Sequence, residues 1–417
     1  MIYSVRPGQR TGEVLIPASK SYAHRLIICA ALSNIKTDII CDGISKDIEA
    51  TIKCLNGLGA NIKIEDKNNL VINPVSRLNN ELSHLYCGES GSTLRFLIPV
   101  VGALGVKAVF HMEGKLSQRP LDELIKTLSD NGMTISRENN LLYCNGKLNA
   151  GNFEIPGNIS SQYISGLLFA LPLLDGKSTL KITENIESLD YILMTEDVIA
   201  KTGIRFTKVN NTYLFDGNQH YKSEGATVER DWSNAAFFMC IGALSDKGVT
   251  LNEMNLSSKQ GDKEIINILS RFGAQINYKD DKLTVRKGTL TGQIIDAKAI
   301  PDLIPVICAL ACGAEGTTEI INAERLRLKE SDRIKTTRNM LSSLGADITE
   351  TENGLIIHGK GSLIGGEVNA ENDHRIAMSA AVAASICNNN VIVNGADCVS
   401  KSYPDFWKHF EGLEEEI

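Results

Sequence analysis

The segment "CLNGLGANIKIEDKNNLVI" (residues 54–72) ends a helical pattern at Gly59, runs through a short alternating strand, turns on polar residues and returns as a second strand. The same order recurs in "TLSDNGMTISRENNLLYC" around Gly132, "VIAKTGIRFTKVNNTYLF" around Gly203, "ILSRFGAQINYKDDKLTV" around Gly273 and "MLSSLGADITETENGLII" around Gly345. Successive glycines lie 73, 71, 70 and 72 residues apart. Each glycine suits a helix C-terminus, where a left-handed backbone costs glycine little. The Asn-Asn, Asp-Asp or Asn-Gly that follows suits a hairpin turn between alternating strands. One copy carries little weight, whereas five at near-constant spacing define a repeat of about 71 residues, longer than solenoid or propeller units.

Six such units fill 417 residues. The sixth helix is expected at "YPDFWKHFEGL", where the chain stops without closing strands, while "MIYSV" and "GEVLI" at the N-terminus precede any unit. The expectation is that these two pieces complete the sixth unit. The architecture is then α/β, with two barrel-like domains, each of three βαβαββ-type units. Residues 18–228 form the N-terminal lobe, and 1–17 with 229–417 form the C-terminal lobe, joined by crossings near Pro17 and Glu229. A cleft between two pseudo-symmetric lobes is the expected ligand site.

Composition sets the background. With 43% apolar and 22% charged residues the chain reads as globular, and a net charge of −7 argues against a general nucleic-acid binder. No stretch approaches the roughly 20 apolar residues of a membrane span, and "MIYSVRPGQR" lacks a signal-peptide core. A cytoplasmic protein is expected, its ten cysteines reduced and buried and no zinc site present.

Cations and hydroxyls collect at the starts of apolar helices. "SKSYAHR" places Lys20, Ser21 and Arg25 in the first turns of a helix, where the macrodipole already presents positive potential. Such an arrangement calls for an anion. "CGESGSTLRF" opens another helix with Gly88 and Gly91, which let backbone approach a ligand, though it matches neither a Walker A sequence nor GxGxxG. Arg119 stands before Pro120, placed at a helix start, and Ser160, Ser161 and Gln162 precede an apolar run. In "AIPDLIPVICALACG", Asp302 faces so much apolar sequence that its proton affinity should rise, as a general base requires. "RLRLKESDRIKTT" puts Lys329, Glu330 and Arg333 on one expected helix. Asp373, His374 and Arg375 precede a further apolar helix, and Lys401 lies in "SKSYPDFW".

Taken in order and spacing, SKSYAHR, GESGSTLR, QRP, SSQ, IPD, RLKESDR, NDHR and SKSYPDFW resemble the EPSP synthase family of enolpyruvyl transferases over essentially the whole chain. LKESDR, NDHR and SKSYPD together are specific, whereas SSQ or QRP alone is not. The resemblance implies two inside-out α/β domains with helices inside. It implies transfer of the enolpyruvyl group of phosphoenolpyruvate to the 5-hydroxyl of shikimate 3-phosphate, a step toward chorismate and the aromatic amino acids. Neither metal nor organic cofactor is implied, the family is usually monomeric, and no nucleic-acid or membrane partner is expected.

The resemblance also implies roles. Lys20, Ser21, Arg25, Ser160, Ser161, Gln162, Ser188, Asp302 and Lys329 resemble contacts to shikimate 3-phosphate, and Lys20, Gly91, Arg119, Gln162, Arg333, Arg375 and Lys401 resemble the phosphoenolpyruvate site. Asp302, Glu330 and Lys20 take the catalytic positions. Two departures stand out: Glu89 occupies a position commonly Asn, and Phe96 one that is often proline; Tyr22 and His24 take no role. A sister enzyme acting on UDP-N-acetylglucosamine uses a loop cysteine, absent from "MEGKLSQRPL". A non-catalytic phospholigand-binding module is expected to lose Asp302 or Glu330, and both are present.

Overall fold

The computed structural model describes residues 1–66, 68–76 and 81–415. It divides into two compact units, Ala18–Val228 and Met1–Pro17 with Glu229–Ile417. Each unit has its own hydrophobic core.

The middle repeat of the first unit shows the plan. Strand Ser83–Gly88, helix Gly91–Leu104, strand Ala108–Met112, helix Asp122–Asp130 and the hairpin Thr134–Glu138/Leu141–Asn145 follow in order. The first two strands pair parallel, since a helix crosses between them, and the hairpin adds antiparallel. The third repeat copies it with strands Asn152–Pro156 and Ser178–Thr183. The first repeat borrows its leading strand from the unit's far end, where Ala226–Thr227 runs parallel to Thr37–Ile40.

The second unit is built likewise, and here the N-terminal strands part company. Ile2–Val5 pairs antiparallel with Val391–Asn394 of the sixth repeat. Arg10–Leu15 instead runs parallel to Val249–Asn252 and leads the fourth repeat. Nor does the chain end without a strand after helix Phe406–Glu411, because Glu414–Glu415 pairs with Arg10–Thr11. The parallel slot beside Val249–Asn252 must be filled by a strand that a helix follows, and Arg10–Leu15 meets that need across the inserted first unit.

The repeat glycines adopt the expected backbone: Gly59, Gly132, Gly203, Gly273 and Gly345 have φ of +99°, +108°, +86°, +102° and +91°. Asp280 and Asp281 turn their hairpin with φ of +53° and +58°. In the first hairpin the expected turn includes Lys67, which lies outside the described residues. The leading helices, such as Ile304–Cys312 and His374–Ala383, are buried on every side, as all-round apolar helices must be. Helix Ser161–Ala170 crosses Gly91–Leu104 so closely that a Cβ on Gly166 would sit 2.4 Å from the Arg95 carbonyl oxygen. Helix Ile304–Cys312 carries no charged side chain, and in His374–Ala383 the cation Arg375 stands in the first turn.

Candidate active site

In unit Ala18–Val228, Ser19 caps helix Lys20–Ala31 by accepting from the Tyr22 amide. Lys20 pairs with Asp47 at the start of the next helix, Nζ to Oδ2 2.8 Å. Arg25 is buried. Its Nε donates to Thr195 Oγ1 (2.8 Å), Nη1 to the Ser21 carbonyl (2.7 Å) and Nη2 to the Tyr191 carbonyl (2.8 Å). The Phe96 ring lies beneath its guanidinium, 5.0 Å from Cζ to centroid. Burial pushes Arg25 down to about 10. Its contacts are a hydroxyl, two carbonyls and a ring, so Ser21 enters through its backbone here. Ser188, buried and left-handed at φ +55°, begins helix Leu189–Lys201, and its carbonyl accepts from the Tyr191 amide.

A second group forms around helix Gly91–Leu104. Arg95, one turn after Gly91, donates from Nη1 to Gln162 Oε1 (2.7 Å) and from Nη2 to the Pro120 carbonyl (3.1 Å). Gln162 in turn donates to Ser92 Oγ at 2.9 Å. A Cβ on Gly91 would lie 2.8 Å from Arg119 Nη1 and 3.2 Å from Arg95 Nη1, so glycine here makes room for two guanidinium groups at a helix N-terminus. Ser160 caps helix Ser161–Ala170 through the Gln162 amide, and Ser161 is buried in its first position. Glu89 turns its carboxylate onto Gly114, where a Cβ would be 2.6 Å from Oε2. Pro120 does not occupy the expected first helical position: the helix is Asp122–Asp130, and Pro120 instead offers its carbonyl to Arg95 and Tyr163.

The other unit gathers its charges around Asp302, in the turn before helix Ile304–Cys312. Asp302 accepts from Arg333 Nη1 at 2.6 Å and lies 3.4 Å from Lys329 Nζ and 3.3 Å from Arg375 Nη2. Arg333, 1% exposed, also reaches Glu330 Oε2 at 2.7 Å and Asp373 Oδ2 at 2.8 Å. Asp373 is fully buried, caps helix His374–Ala383 through the Arg375 amide, and accepts from Ser331 Oγ at 2.9 Å. Lys401 donates to the Asn372 carbonyl at 2.8 Å, next to this web.

Two expectations are corrected. Lys329 and Glu330 do not share a helix with Arg333. A 3₁₀ turn ends at Leu328, Lys329 is extended, and the helix begins at Arg333 under an Asp332 cap. The three charges meet all the same. Asp302 is not an apolar-surrounded acid with raised proton affinity. Burial alone would raise its pKa, but Arg375, Lys329 and Arg333 outweigh that and hold it well below the ordinary carboxylate value. The carboxyl that is pushed up, to about 7, is Asp262, through its burial and the charge of Asp302, with Arg375 and the Ser233 hydroxyl opposing. Against burial, Asp373, Glu330 and Asp302 keep Arg333 firmly protonated. Burial brings Lys329 down to about 8 although Asp302 opposes it.

Sequence reasoning passed over Asp47, Arg95 and Asp262. Arg95 had a usable signal, its four-residue spacing from Gly91 on one helix face. Asp262 had none, because its neighbours are distant in the chain. Among the described residues no group of three or more His, Cys, Asp or Glu side chains is arranged to hold a metal ion.

The arrangement matches known proteins along the whole chain. The family model for EPSP synthase (3-phosphoshikimate 1-carboxyvinyltransferase) matches residues 5–410. The 3-phosphoshikimate 1-carboxyvinyltransferase of Clostridium perfringens strain SM101 is 46% identical over 98% of this chain and 97% of its own length. That of Clostridium kluyveri is 43% identical over 99% and 97%. Among solved structures, an EPSP synthase from Acinetobacter baumannii covers all of both chains at TM-score 0.81 and 26% identity. The enolpyruvyl transferase NikO from Streptomyces tendae, at TM-score 0.81 and 16% identity over 100% and 97% of the two chains, shares the fold. With matching motifs, repeat plan and near-complete coverage, this chain belongs to the EPSP synthase family.

Proposed function

We propose that the protein transfers the enolpyruvyl group of phosphoenolpyruvate to the 5-hydroxyl of shikimate 3-phosphate and releases phosphate. The observation that carries the reading is the web at Asp302, where buried and half-buried carboxylates and cations alternate beside the starts of helices Ile304–Cys312, Arg333–Ser343 and His374–Ala383. A structural ion pair needs one partner of each sign. This web holds Asp302, Glu330 and Asp373 against Lys329, Arg333 and Arg375, which suits polyanionic substrates and proton traffic together.

The 5-hydroxyl oxygen bonds to C2 of phosphoenolpyruvate while C3 takes a proton, giving a tetrahedral ketal. C3 then loses a proton as the bond from C2 to the phosphate oxygen breaks. We assign Asp302 to the hydroxyl proton: three cations keep it ionised and so able to accept from that hydroxyl, although they make it a weaker base than its apolar sequence setting suggests. Glu330, held by Arg333, moves the proton at C3, and Lys20 assists as a charge on the reacting groups. From Ala18–Val228, Ser21, Arg25, Ser160, Ser161, Gln162 and Ser188 are assigned to shikimate 3-phosphate, and Lys20, Gly91, Arg119 and Gln162 to phosphoenolpyruvate. From the other unit, Asp302 and Lys329 are assigned to shikimate 3-phosphate and Arg333, Arg375 and Lys401 to phosphoenolpyruvate. Arginine suits both ligands because its fork matches carboxylate and phosphate oxygens.

We further propose that the enzyme acts as a cytoplasmic monomer without a cofactor; among the described residues no helix is long and apolar enough to cross a membrane. The test is phosphate release with each substrate omitted in turn. Release only with both supports the reaction, and binding of both without release overturns it.

A further inference from the structure

His24 was left without a role by its sequence, yet it is fully buried between Lys20 and Arg25 on the first helix. Its Nδ1 lies 2.7 Å from Thr51 Oγ1, Thr51 Oγ1 lies 2.6 Å from Thr93 Oγ1, and Thr93 Oγ1 donates to Ser90 Oγ at 2.7 Å. Ser90 is the residue that caps helix Gly91–Leu104, accepting from the Thr93 amide at 3.2 Å.

The protons in this chain can be counted. A hydroxyl has one to give. Thr93 gives its proton to Ser90, with the Asp47 carbonyl a longer second acceptor at 3.4 Å, so Thr93 accepts from Thr51. Thr51 has then spent its proton and accepts from His24 Nδ1–H. The network thus fixes a neutral imidazole protonated on Nδ1, and Nε2 finds no hydrogen-bond partner among the described residues. Burial, with Lys20 and Arg25 adding repulsion, holds His24 well below the usual histidine range, which agrees with a neutral ring.

The chain links the first half of helix Lys20–Ala31, the middle of helix Lys46–Gly57 and the start of helix Gly91–Leu104, whose apolar residues share one core, and apolar packing sets spacing better than registry. Asp47, on the middle helix, holds Lys20 at 2.8 Å. Ser90, at the relay's end, precedes the glycine that accommodates Arg119 and Arg95. We propose that His24 is a positioning residue: through Thr51, Thr93 and Ser90 it fixes the Gly91 helix start against Lys20, one turn earlier on its own helix, and so sets the affinity for phosphoenolpyruvate without touching it. This rests on the assignment of Lys20, Gly91 and Arg119 made above.

The test uses the full chain with His24→Asn, His24→Gln, His24→Leu and Thr51→Val. An Asn amide nitrogen takes the place of Nδ1, while a Gln amide falls at the Nε2 end. Phosphoenolpyruvate is titrated calorimetrically into protein saturated with a shikimate 3-phosphate analogue that lacks the 5-hydroxyl, so that no transfer accompanies binding, and KM values are measured beside it with the true substrates. His24→Asn should stay within about twofold of the parent, whereas Gln, Leu and Thr51→Val should weaken phosphoenolpyruvate about tenfold. The KM for shikimate 3-phosphate should move by less than about threefold. Equal phosphoenolpyruvate affinity in all variants, a Gln variant as good as Asn, or equal losses for both substrates would each overturn the relay. Because affinity is read directly, a parent chain that binds phosphoenolpyruvate yet releases no phosphate would count against the proposed reaction alone.

Discussion

Replacing Arg333 by Met removes the cation that three carboxylates share. Arg333 is 1% exposed, and Asp373, fully buried, lies 2.8 Å from it. After the change Asp302 keeps Arg375 and Lys329, but among the described residues Asp373 keeps only the Ser331 hydroxyl and the Arg375 amide as hydrogen-bond donors. Stranding a buried charge this way costs about 3–5 kcal/mol. With a urea slope near 2 kcal/mol per molar, the midpoint should fall by about 1.5–2.5 M. The assay is selective: the chain has two tryptophans, Trp232 and Trp407, both buried in the unit that contains Arg333. Their emission therefore follows that unit alone. The pH dependence gives a second reading. In the parent, Asp373 is buried, which would raise its pKa, but Arg333 holds it below 3.8; its contribution is present above that pH and is lost as pH falls through the lowered value. In Arg333→Met burial acts unopposed by that cation, the carboxyl takes up a proton above 3.8, and the deficit should shrink as pH falls from about 7 toward 4. Adding Asp373→Asn should restore much of the loss, since Asn can still cap the helix. A deficit that is constant with pH, or no recovery in the double variant, would refute the reasoning.

Asp302→Ala and Glu330→Gln should each lower turnover by about 10²-fold or more with modest loss of binding, measured by phosphate release; unchanged kinetics in Asp302→Ala would remove its assignment as base. Gly91→Ala should displace the Arg119 guanidinium, whose Nη1 lies 2.8 Å from the new Cβ. Because that atom ends a flexible side chain, the melting temperature should hold while the KM for phosphoenolpyruvate rises about tenfold. Lys329, brought down to about 8, should lose its charge across that pH and weaken shikimate 3-phosphate binding on the alkaline side. Lys329→Arg should move that limb to higher pH, and an unmoved limb would assign it to another group. All ten cysteines are buried, and burial raises thiols such as Cys29 and Cys144 to about 12. Iodoacetamide at pH 8 should therefore leave the native chain largely unlabelled by mass spectrometry and modify it fully in urea.

Local signals were the legible ones. A left-handed glycine after a helix and an Asp-Asp hairpin announce themselves within a few residues, and the structure shows both at the expected positions. The cations at helix starts were equally visible, because Lys20 and Arg333 directly follow an N-cap and Arg375 lies one residue further in. What the sequence hid depends on partners far away in the chain. Nothing near Asp302 reveals that Lys329, Arg333 and Arg375 will surround it, so its neighbours suggested an apolar setting and the wrong direction of pKa change. The pairing of Arg10–Leu15 with Val249–Asn252 spans an entire inserted unit and has no local mark. The break before Arg333 was readable after all: Asp332 is a capping residue, and treating Lys329 as helical overlooked it.

The pairing of Ile2–Val5 with Val391–Asn394 also sets an order of events at the ribosome. At about 5–20 residues per second, the opening strand waits roughly 20–80 s before its partner is translated. Residues 18–228, by contrast, have every one of their own sheet partners as soon as Thr227 has emerged. The inserted unit is therefore free to fold during synthesis while the flanking one stays open. A nascent chain should spend much of its birth with an unmatched N-terminal strand, the stretch a chaperone would have most reason to shield.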